Sequence, residues 1–196
     1  LKDLTFQISS LYSLYTNINL SKIEAYYDIV IDILRRALES HSQNFANAIK
    51  AIYILSVLLD FFPDEKEVLK SHVDIIISLA NDSDSLPPDL FLDLWKSICS
   101  LLYSTAASND ESFVALFHPS VFKICAIDTI SSDFKLYPLM SIWSCACDYD
   151  RPIIHQICNL TCEIASQYVN QSNSLPFDFL FIFETCFHDF DHDMVY

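Results

Sequence analysis

The sequence predicts an all-α fold of about eight or nine helices. Apolar residues recur at helical spacing in one segment after another, and most segments open on a proline, a capping residue or an acidic first turn. The segment starts lie about 22 residues apart along the whole chain. The 196 residues contain no glycine, which disfavours the tight primed turns of β-hairpins. We therefore expect helices joined by short loops, in a single domain over 1–196.

The stretch 45–62 is the one around which we expect the other helices to pack. It reads FANAIKAIYILSVLLDFF and is apolar nearly all the way round a helical projection. A helix of this kind must be enclosed on several sides by neighbours. Pro63 ends it. The polar interruptions are few: Asn47, Lys50, Ser56 and Asp60.

Two amphipathic helices are predicted before this stretch. The first ends near Asn17, and the second opens with the capping box 21–24. Their inward stripes are Leu4, Ile8, Leu11 and Tyr15 in the first, and Ile23, Tyr27, Val30, Leu34 and Leu38 in the second. The opposite side of the second helix carries Asp28, Asp32, Arg35, Arg36 and Glu39, the composition of a solvated helix face.

Two further helices follow, separated by the polar loop 81–88. Asp64 caps the first of them, and Pro88 starts the second. The inward residues of the second are Phe91, Leu94, Trp95, Ile98, Leu101 and Leu102, and its outer face is predicted to carry Asp89, Asp93, Lys96, Ser97 and Ser100.

The elements shorten after Asn109. We expect two turns over 110–117, a helix from Pro119 to about Ile130, and a helix that restarts at Pro138 and runs to Cys147. Pro152 opens a longer helix whose stripe is Ile154, Ile157, Thr161, Ile164 and Tyr168. Pro176 begins a last helix that runs through about Phe190.

A pair of these helices occupies about 44 residues, which is the period of armadillo and HEAT repeats. In period and pattern the chain resembles a short, irregular armadillo/HEAT-like α-solenoid, in which each helical pair buries its apolar face against the next. No repeat consensus matches residue by residue, and the glycine that armadillo repeats usually carry is missing. An irregular helical bundle fits the same pattern.

The net charge of −15 is repulsive to phosphate backbones, so we expect no direct nucleic-acid binding. The seven cysteines lack the spacing of a disulfide framework, which indicates an intracellular protein, nuclear or cytoplasmic. No apolar run is long enough for a membrane span. The lack of glycine also excludes the common phosphate-binding loops and the nucleophile elbow of hydrolases.

Two groups of residues could be imagined as metal ligands. His155, Cys158 and Cys162 share one face of a helix, with Cys145 and Cys147 just before it, and His188 and His192 lie beside Asp189, Asp191 and Asp193. Buried thiols and a polar chain end are the stronger explanation of these residues, because a free cysteine behaves as a small buried hydrophobic residue and the chain has no CxxC pair. We therefore expect no metal, no cofactor and no catalytic residue. A metal-dependent enzyme or zinc-stabilised helical domain that uses these His and Cys residues is the alternative.

The last predicted helix is apolar around most of its circumference. A solenoid's terminal helix needs a polar outer face, because nothing stacks beyond it. We therefore expect Phe179, Phe183, Phe187 and Phe190 to contact a partner protein or a second copy, as in a homodimer, or else to fold back into the core. The function expected from the sequence is that of a non-catalytic adaptor or scaffold subunit, which binds a peptide or helix of its partner.

Overall fold

A computed structural model describes residues 2–16, 26–61, 67–107, 111–143 and 151–172 of the chain. Within these ranges there are helices and connecting turns and no strand, so the all-α prediction is confirmed there. The nine α-helices are α1 Lys2–Thr16, α2 Tyr27–Glu39, α3 Phe45–Phe61, α4 Glu67–Asn81, α5 Pro88–Ala107, α6 Glu111–Ala115, α7 His118–Cys125, α8 Ser132–Trp143 and α9 Arg151–Ser172. The chain divides into two compact units, Leu1–Asp110 and Glu111–Tyr196.

Helix α3 is the centre of the first unit, as its sequence predicts. It packs against α1, α2 and α5. Its buried side chains lie on all sides of the helix: Asn47, Ala48, Ile49, Ala51, Ile52, Ile54, Leu55, Ser56, Leu58 and Leu59. The two polar members are hydrogen-bonded, because Asn47 donates to Thr5 of α1 and the Ser56 hydroxyl lies 2.9 Å from that of Ser100 on α5.

Each helix of the first unit packs on the next helix or on the next but one. Helix α2 contacts α3 and α4, helix α3 contacts α5, and α4 contacts α5. This order of contacts is the one that stacked helical hairpins have. The resemblance to armadillo and HEAT repeats stays a prediction, because a helical bundle can have the same contacts.

The loop between α4 and α5 is fixed by a buried tryptophan. The 3-10 turn Ser83–Ser85 places the Ser83 hydroxyl 3.0 Å from the indole nitrogen of Trp95, and the same hydroxyl donates to the carbonyl of Ala80 at 2.6 Å. Ser83 and Trp95 are both buried. One serine therefore joins the end of α4 to the second turn of α5.

In the second unit, α8 contacts both α7 and α9. Helix α9 buries the stripe that the sequence predicts, from Ile154 through Ile157 and Thr161 to Ile164. Helix α8 places Leu136, Leu139, Ile142 and Trp143 in the core. The Lys135 side chain is also buried, with 1 % of its surface exposed.

Three local predictions are wrong. Ser97 and Ser100 do not lie on the outer face of α5. Ser97 is buried, because its hydroxyl donates to the carbonyl of Asp93 and needs no water, and the half-buried Ser100 has its hydroxyl 2.9 Å from that of Ser56 on α3. Helix α7 ends at Cys125 instead of continuing to Ile130. Helix α8 begins at Ser132 and contains Pro138 in its interior, because the Ser131 hydroxyl accepts a bond from the backbone N–H of Phe134 and so starts the helix earlier.

Some predictions concern residues outside the described ranges. These are the capping box 21–24, Pro63, the Asp64 cap, Cys145, Cys147 and the helix expected over 176–190. The single domain over 1–196 also stays a prediction, since two compact units can fold together or separately.

Candidate functional site

Among the described residues of the first unit, the most exposed large apolar side chains lie on one pair of helices, whereas Phe61 and Tyr103 are only 38 % and 41 % exposed. Phe6 of α1 is 72 % exposed, and Tyr26 and Ile29 at the start of α2 are each 59 % exposed. Exposed acidic and basic side chains lie beside them on α2. We call this surface the α1–α2 face, and it consists of Phe6, Tyr26, Ile29, Asp32, Arg35, Arg36 and Glu39.

The register between the helices follows from contacts that they make with α3. Thr5 and Ser9 of α1 bind Asn47 and Lys50 of α3 at 3.0 Å each, and the Tyr12 and Tyr53 rings lie 5.2 Å apart. Residue numbers rise together along both helices, so α1 and α3 are parallel.

Helix α2 runs in the opposite direction to α1. The turn over 40–44 joins α2 to α3, and so short a connection makes these two helices antiparallel. Since α1 is parallel to α3, it is antiparallel to α2. Arg36 near the end of α2 donates to the side chain of Gln7 near the start of α1, at 3.5 Å.

This arrangement separates the apolar side chains into two groups. Phe6 lies at the level of Arg36, because it neighbours Gln7 in the sequence. Ile29 lies seven residues before Arg36, or about 10 Å away along the helix axis. The α1–α2 face therefore has Phe6 at one end, Tyr26 and Ile29 at the other, and charged residues between them.

The charged residues form an exposed network. Arg35 donates to Asp32 at 2.5 Å and to Glu39 at 3.3 Å, and Arg36 lies 2.9 Å from Asp32. The hydrogen bond from Arg35 lowers the pKa of Asp32 and raises that of Arg35. Asp32 therefore stays ionised at neutral pH and does not act as a general acid. The prediction of a solvated, ion-paired helix face is confirmed.

The His and Cys residues of α9 differ in exposure. His155 and Cys162 are exposed, and Cys158 is half-buried. Burial, and to a lesser extent the neighbouring Cys158, raise the pKa of the Cys162 thiol. Across the described ranges, no group of three or more His, Cys, Asp or Glu side chains is arranged to hold a metal ion. Cys145 and Cys147, which could complete such a group, lie outside these ranges.

The second unit contains a buried thiol next to a buried lysine. Cys125 lies 3.9 Å from the backbone carbonyl of Lys135, to which its thiol donates. Burial raises the pKa of Cys125 to about 12, although the Lys135 charge acts in the opposite direction. At neutral pH this cysteine is a thiol and not a nucleophilic thiolate.

The sequence-predicted partner residues are not described by the structure. Phe179, Phe183, Phe187 and Phe190 all lie beyond residue 172, as do His188, His192, Asp189, Asp191 and Asp193. Their role at an interface or a metal site stays a prediction.

The α1–α2 face itself was not predicted from the sequence. One available signal was the position of Phe6, which is out of step with the stripe Leu4, Ile8 and Leu11. Ile29 was a second signal, because it falls between the exposed positions Asp28 and Asp32. An apolar residue on the polar side of an amphipathic helix deserves to be tested as a contact residue.

Comparison of the chain with known proteins finds no match. No family model matches the chain, and neither a curated protein nor a solved structure matches it. None of the helices in the described ranges is both long enough and apolar enough to cross a membrane. The class defined by the fold is therefore an all-helical protein, with an exposed apolar and ion-paired face on its first helices.

Proposed function

We propose that the chain is a non-catalytic protein-interaction module, an adaptor or scaffold subunit of a larger complex. The observation that carries the proposal is the α1–α2 face. The inward residues Ile8, Val30 and Leu34 of the same helices are almost fully buried, whereas Phe6, Tyr26 and Ile29 remain mostly in water. Full burial of a large apolar side chain is worth about 1.5–3 kcal/mol, and the exposed fractions of these three side chains sum to about two side chains. A partner that covers all three therefore gains about 3–6 kcal/mol before the costs of association.

The partner expected from the sequence is a peptide or a helix of another protein. A helix that lies along α1 and α2 can reach both ends of the face, since they are about 10 Å apart, or two helical turns. The phenylalanines of the C-terminal segment, Phe179, Phe183, Phe187 and Phe190, are proposed as a second, separate contact region.

Charge and thiol chemistry support the same proposal. A net charge of −15 steers basic protein partners towards the chain and disfavours direct contact with nucleic acid. Cys125 and Cys162 are free cysteines within the part of the chain that the structure describes, which supports a nuclear or cytoplasmic location.

Affinity capture of binding proteins, with the unchanged chain and its variants as bait, tests the proposal. Phe6→Asp and Ile29→Asp change the face, Phe183→Asp and Phe187→Asp change the C-terminal segment, and Lys96→Ala is the control on an exposed site elsewhere. We expect at least one of the two pairs to lose a protein that the unchanged chain and the control both retain. Circular dichroism must show the same melting midpoint, because an unfolded variant also loses its partners.

The proposal is wrong about both regions if all four folded variants retain every captured protein, because neither region is then the binding site. Stoichiometric zinc or iron in the purified protein would instead favour the metal-dependent alternative, and metal analysis measures this directly.

A further inference from the structure

Helix α1 buries fewer side chains than the two helices on which it packs. Among its described side chains, residues 3–13, Ile8 alone is buried. Helix α2, by contrast, buries five side chains and α3 buries ten. A helix with few buried apolar side chains opens more readily than its neighbours.

The contacts between α1 and α3 use polar residues of α3. The side-chain amide of Asn47 donates to the Thr5 hydroxyl at 3.0 Å, and Asn47 is otherwise enclosed, with 1 % of its surface exposed. The half-buried Lys50 donates to the Ser9 hydroxyl, also at 3.0 Å. Asn47 and Lys50 lie three residues apart, so they share one side of α3. When α1 leaves, water can replace both hydroxyls, and uncovering this side therefore costs less than uncovering an apolar side.

Release of α1 from α3 also means loss of the helix. Isolated helices shorter than about 12–15 residues are marginal in water, and α1 has only 15 residues. Five of these are serine or threonine, which are weaker helix formers than alanine or leucine. Helix α1 is therefore either docked and helical or released and unfolded.

The equilibrium between these two states changes the α1–α2 face. Phe6 is 72 % exposed, and the hydrogen bond from Arg36 to Gln7 places it at the level of the end of α2. When α1 is released, only the α2 residues of the face stay in position. A partner that binds Phe6 on the docked helix must therefore select the docked state.

We infer that α1 docks on α3 and leaves it as a unit while α2 to α5 stay folded, and that this equilibrium regulates binding at the α1–α2 face. This inference rests on the proposed function, since it adds regulation to one proposed interaction surface. The bond between Ser9 and Lys50 is the contact through which the equilibrium can be shifted in both directions. Loss of the hydroxyl removes the acceptor of Lys50, whereas a carboxylate at position 9 accepts a stronger, charge-assisted bond.

Hydrogen–deuterium exchange of the unchanged chain, followed by peptide mass spectrometry, tests the opening of α1. We expect the amides of α1 to exchange at least about tenfold faster than those in the middle of α3. Their exchange should also respond less steeply to low concentrations of urea, because opening of α1 exposes less surface than unfolding of the unit. If α1 and α3 exchange at the same rate and with the same urea dependence, α1 opens only with the whole unit and the inference is wrong.

Variants of two neighbouring serines test the contact that controls opening. Ser9→Ala should speed the exchange of α1 by about fivefold or more, and Ser9→Asp should slow it. Ser10→Ala is the matched control, because Ser10 is exposed on the same helix and its change to alanine alters helix propensity equally. Equal exchange rates of α1 in Ser9→Ala and Ser10→Ala would contradict the role of the bond to Lys50.

Affinity capture connects the opening of α1 with binding. Ser9→Ala should retain less of a protein that Phe6→Asp loses, and Ser9→Asp should retain at least as much of it as the unchanged chain. If Ser9→Ala retains that protein in full although its α1 exchanges faster, regulation by α1 is wrong and the proposed function stands. If the folded Phe6→Asp variant loses no protein, the proposed function fails for α1, and the exchange rates alone decide whether the helix opens.

Discussion

Truncation of Leu58 in the last turn of α3 should be among the most destabilising single changes in the first unit. Leu58 is 3 % exposed and its helix is enclosed by α1, α2 and α5. Leu58→Ala removes three carbon atoms, or about 2.4 kcal/mol of transfer free energy at about 0.8 kcal/mol each. The cavity that remains adds to this cost, so we expect a total loss of about 3–4 kcal/mol, and the same for Leu55 at 2 % exposed.

The two tryptophans allow the measurement to be confined to one unit. Trp95 lies in the first unit and Trp143 in the second, and the chain has no other tryptophan. In a Trp143→Phe background, fluorescence therefore follows the first unit alone during urea unfolding. A loss of about 3 kcal/mol lowers the urea midpoint by about 1–3 M at an unchanged slope. Lys96→Ala, on an exposed site of α5, should change the unfolding free energy by about 0.5 kcal/mol or less. Equal costs for Leu58→Ala and Lys96→Ala would refute the enclosed position of α3.

Three other predictions concern Trp95, His118 and the cysteines. Ser83→Ala removes the acceptor of the buried Trp95 indole and should cost about 1–3 kcal/mol, and the cost should shrink in a Trp95→Phe background, as measured by urea unfolding followed by circular dichroism. Burial lowers the pKa of His118 below 6.5, so the unfolded chain binds more protons between that lowered pKa and pH 6.5. The unfolding free energy of the second unit should therefore fall as the pH decreases through this range, and His118→Gln should remove that part of the pH dependence. If the unfolding free energy of His118→Gln, measured by urea unfolding at several pH values, falls as steeply with decreasing pH as that of the unchanged chain, the prediction is wrong. A thiol reagent applied to the native protein at neutral pH should modify the exposed Cys162 well before Cys125, which is buried and has a pKa of about 12. Peptide mass spectrometry gives the order, and faster labelling of Cys125 would show that the second unit opens readily.

The sequence predicts the fold best where one physical rule dominates. The enclosure of α3 follows from an apolar surface on every side, which tertiary contacts must cover. Ser97 shows where such reasoning fails. Serine is assigned to the polar face when helix faces are predicted from the spacing of apolar residues. In a helix, however, its hydroxyl can donate to the carbonyl four residues earlier, as Ser97 does, and the side chain can then be buried.

The start of α8 shows a competition between two local signals. Pro138 is a helix-start signal, but Ser131 provides a cap seven residues earlier, and the structure places the proline inside the helix.

The α1–α2 face was missed for a different reason. Whether Phe6 and Ile29 belong to one surface depends on the register between α1 and α2, and this register is set by the contacts of Thr5, Ser9 and Tyr12 with α3.

The lack of glycine connects the helix ends to the kind of function that the chain can have. Helices commonly end on a glycine in the left-handed conformation. Here Ser40 after α2 and Ala126 after α7 have φ of −91° and −78°, outside the left-handed region. The residue after each of them closes the helix end with a backbone hydrogen bond that spans three residues: His41 donates to the carbonyl of Leu38, and Ile127 donates to that of Ile124. Helix ends closed in this way leave no glycine loop in which backbone N–H groups could bind a phosphate. Under the proposed function, recognition therefore depends on side chains presented by helix surfaces, and the α1–α2 face is such a surface.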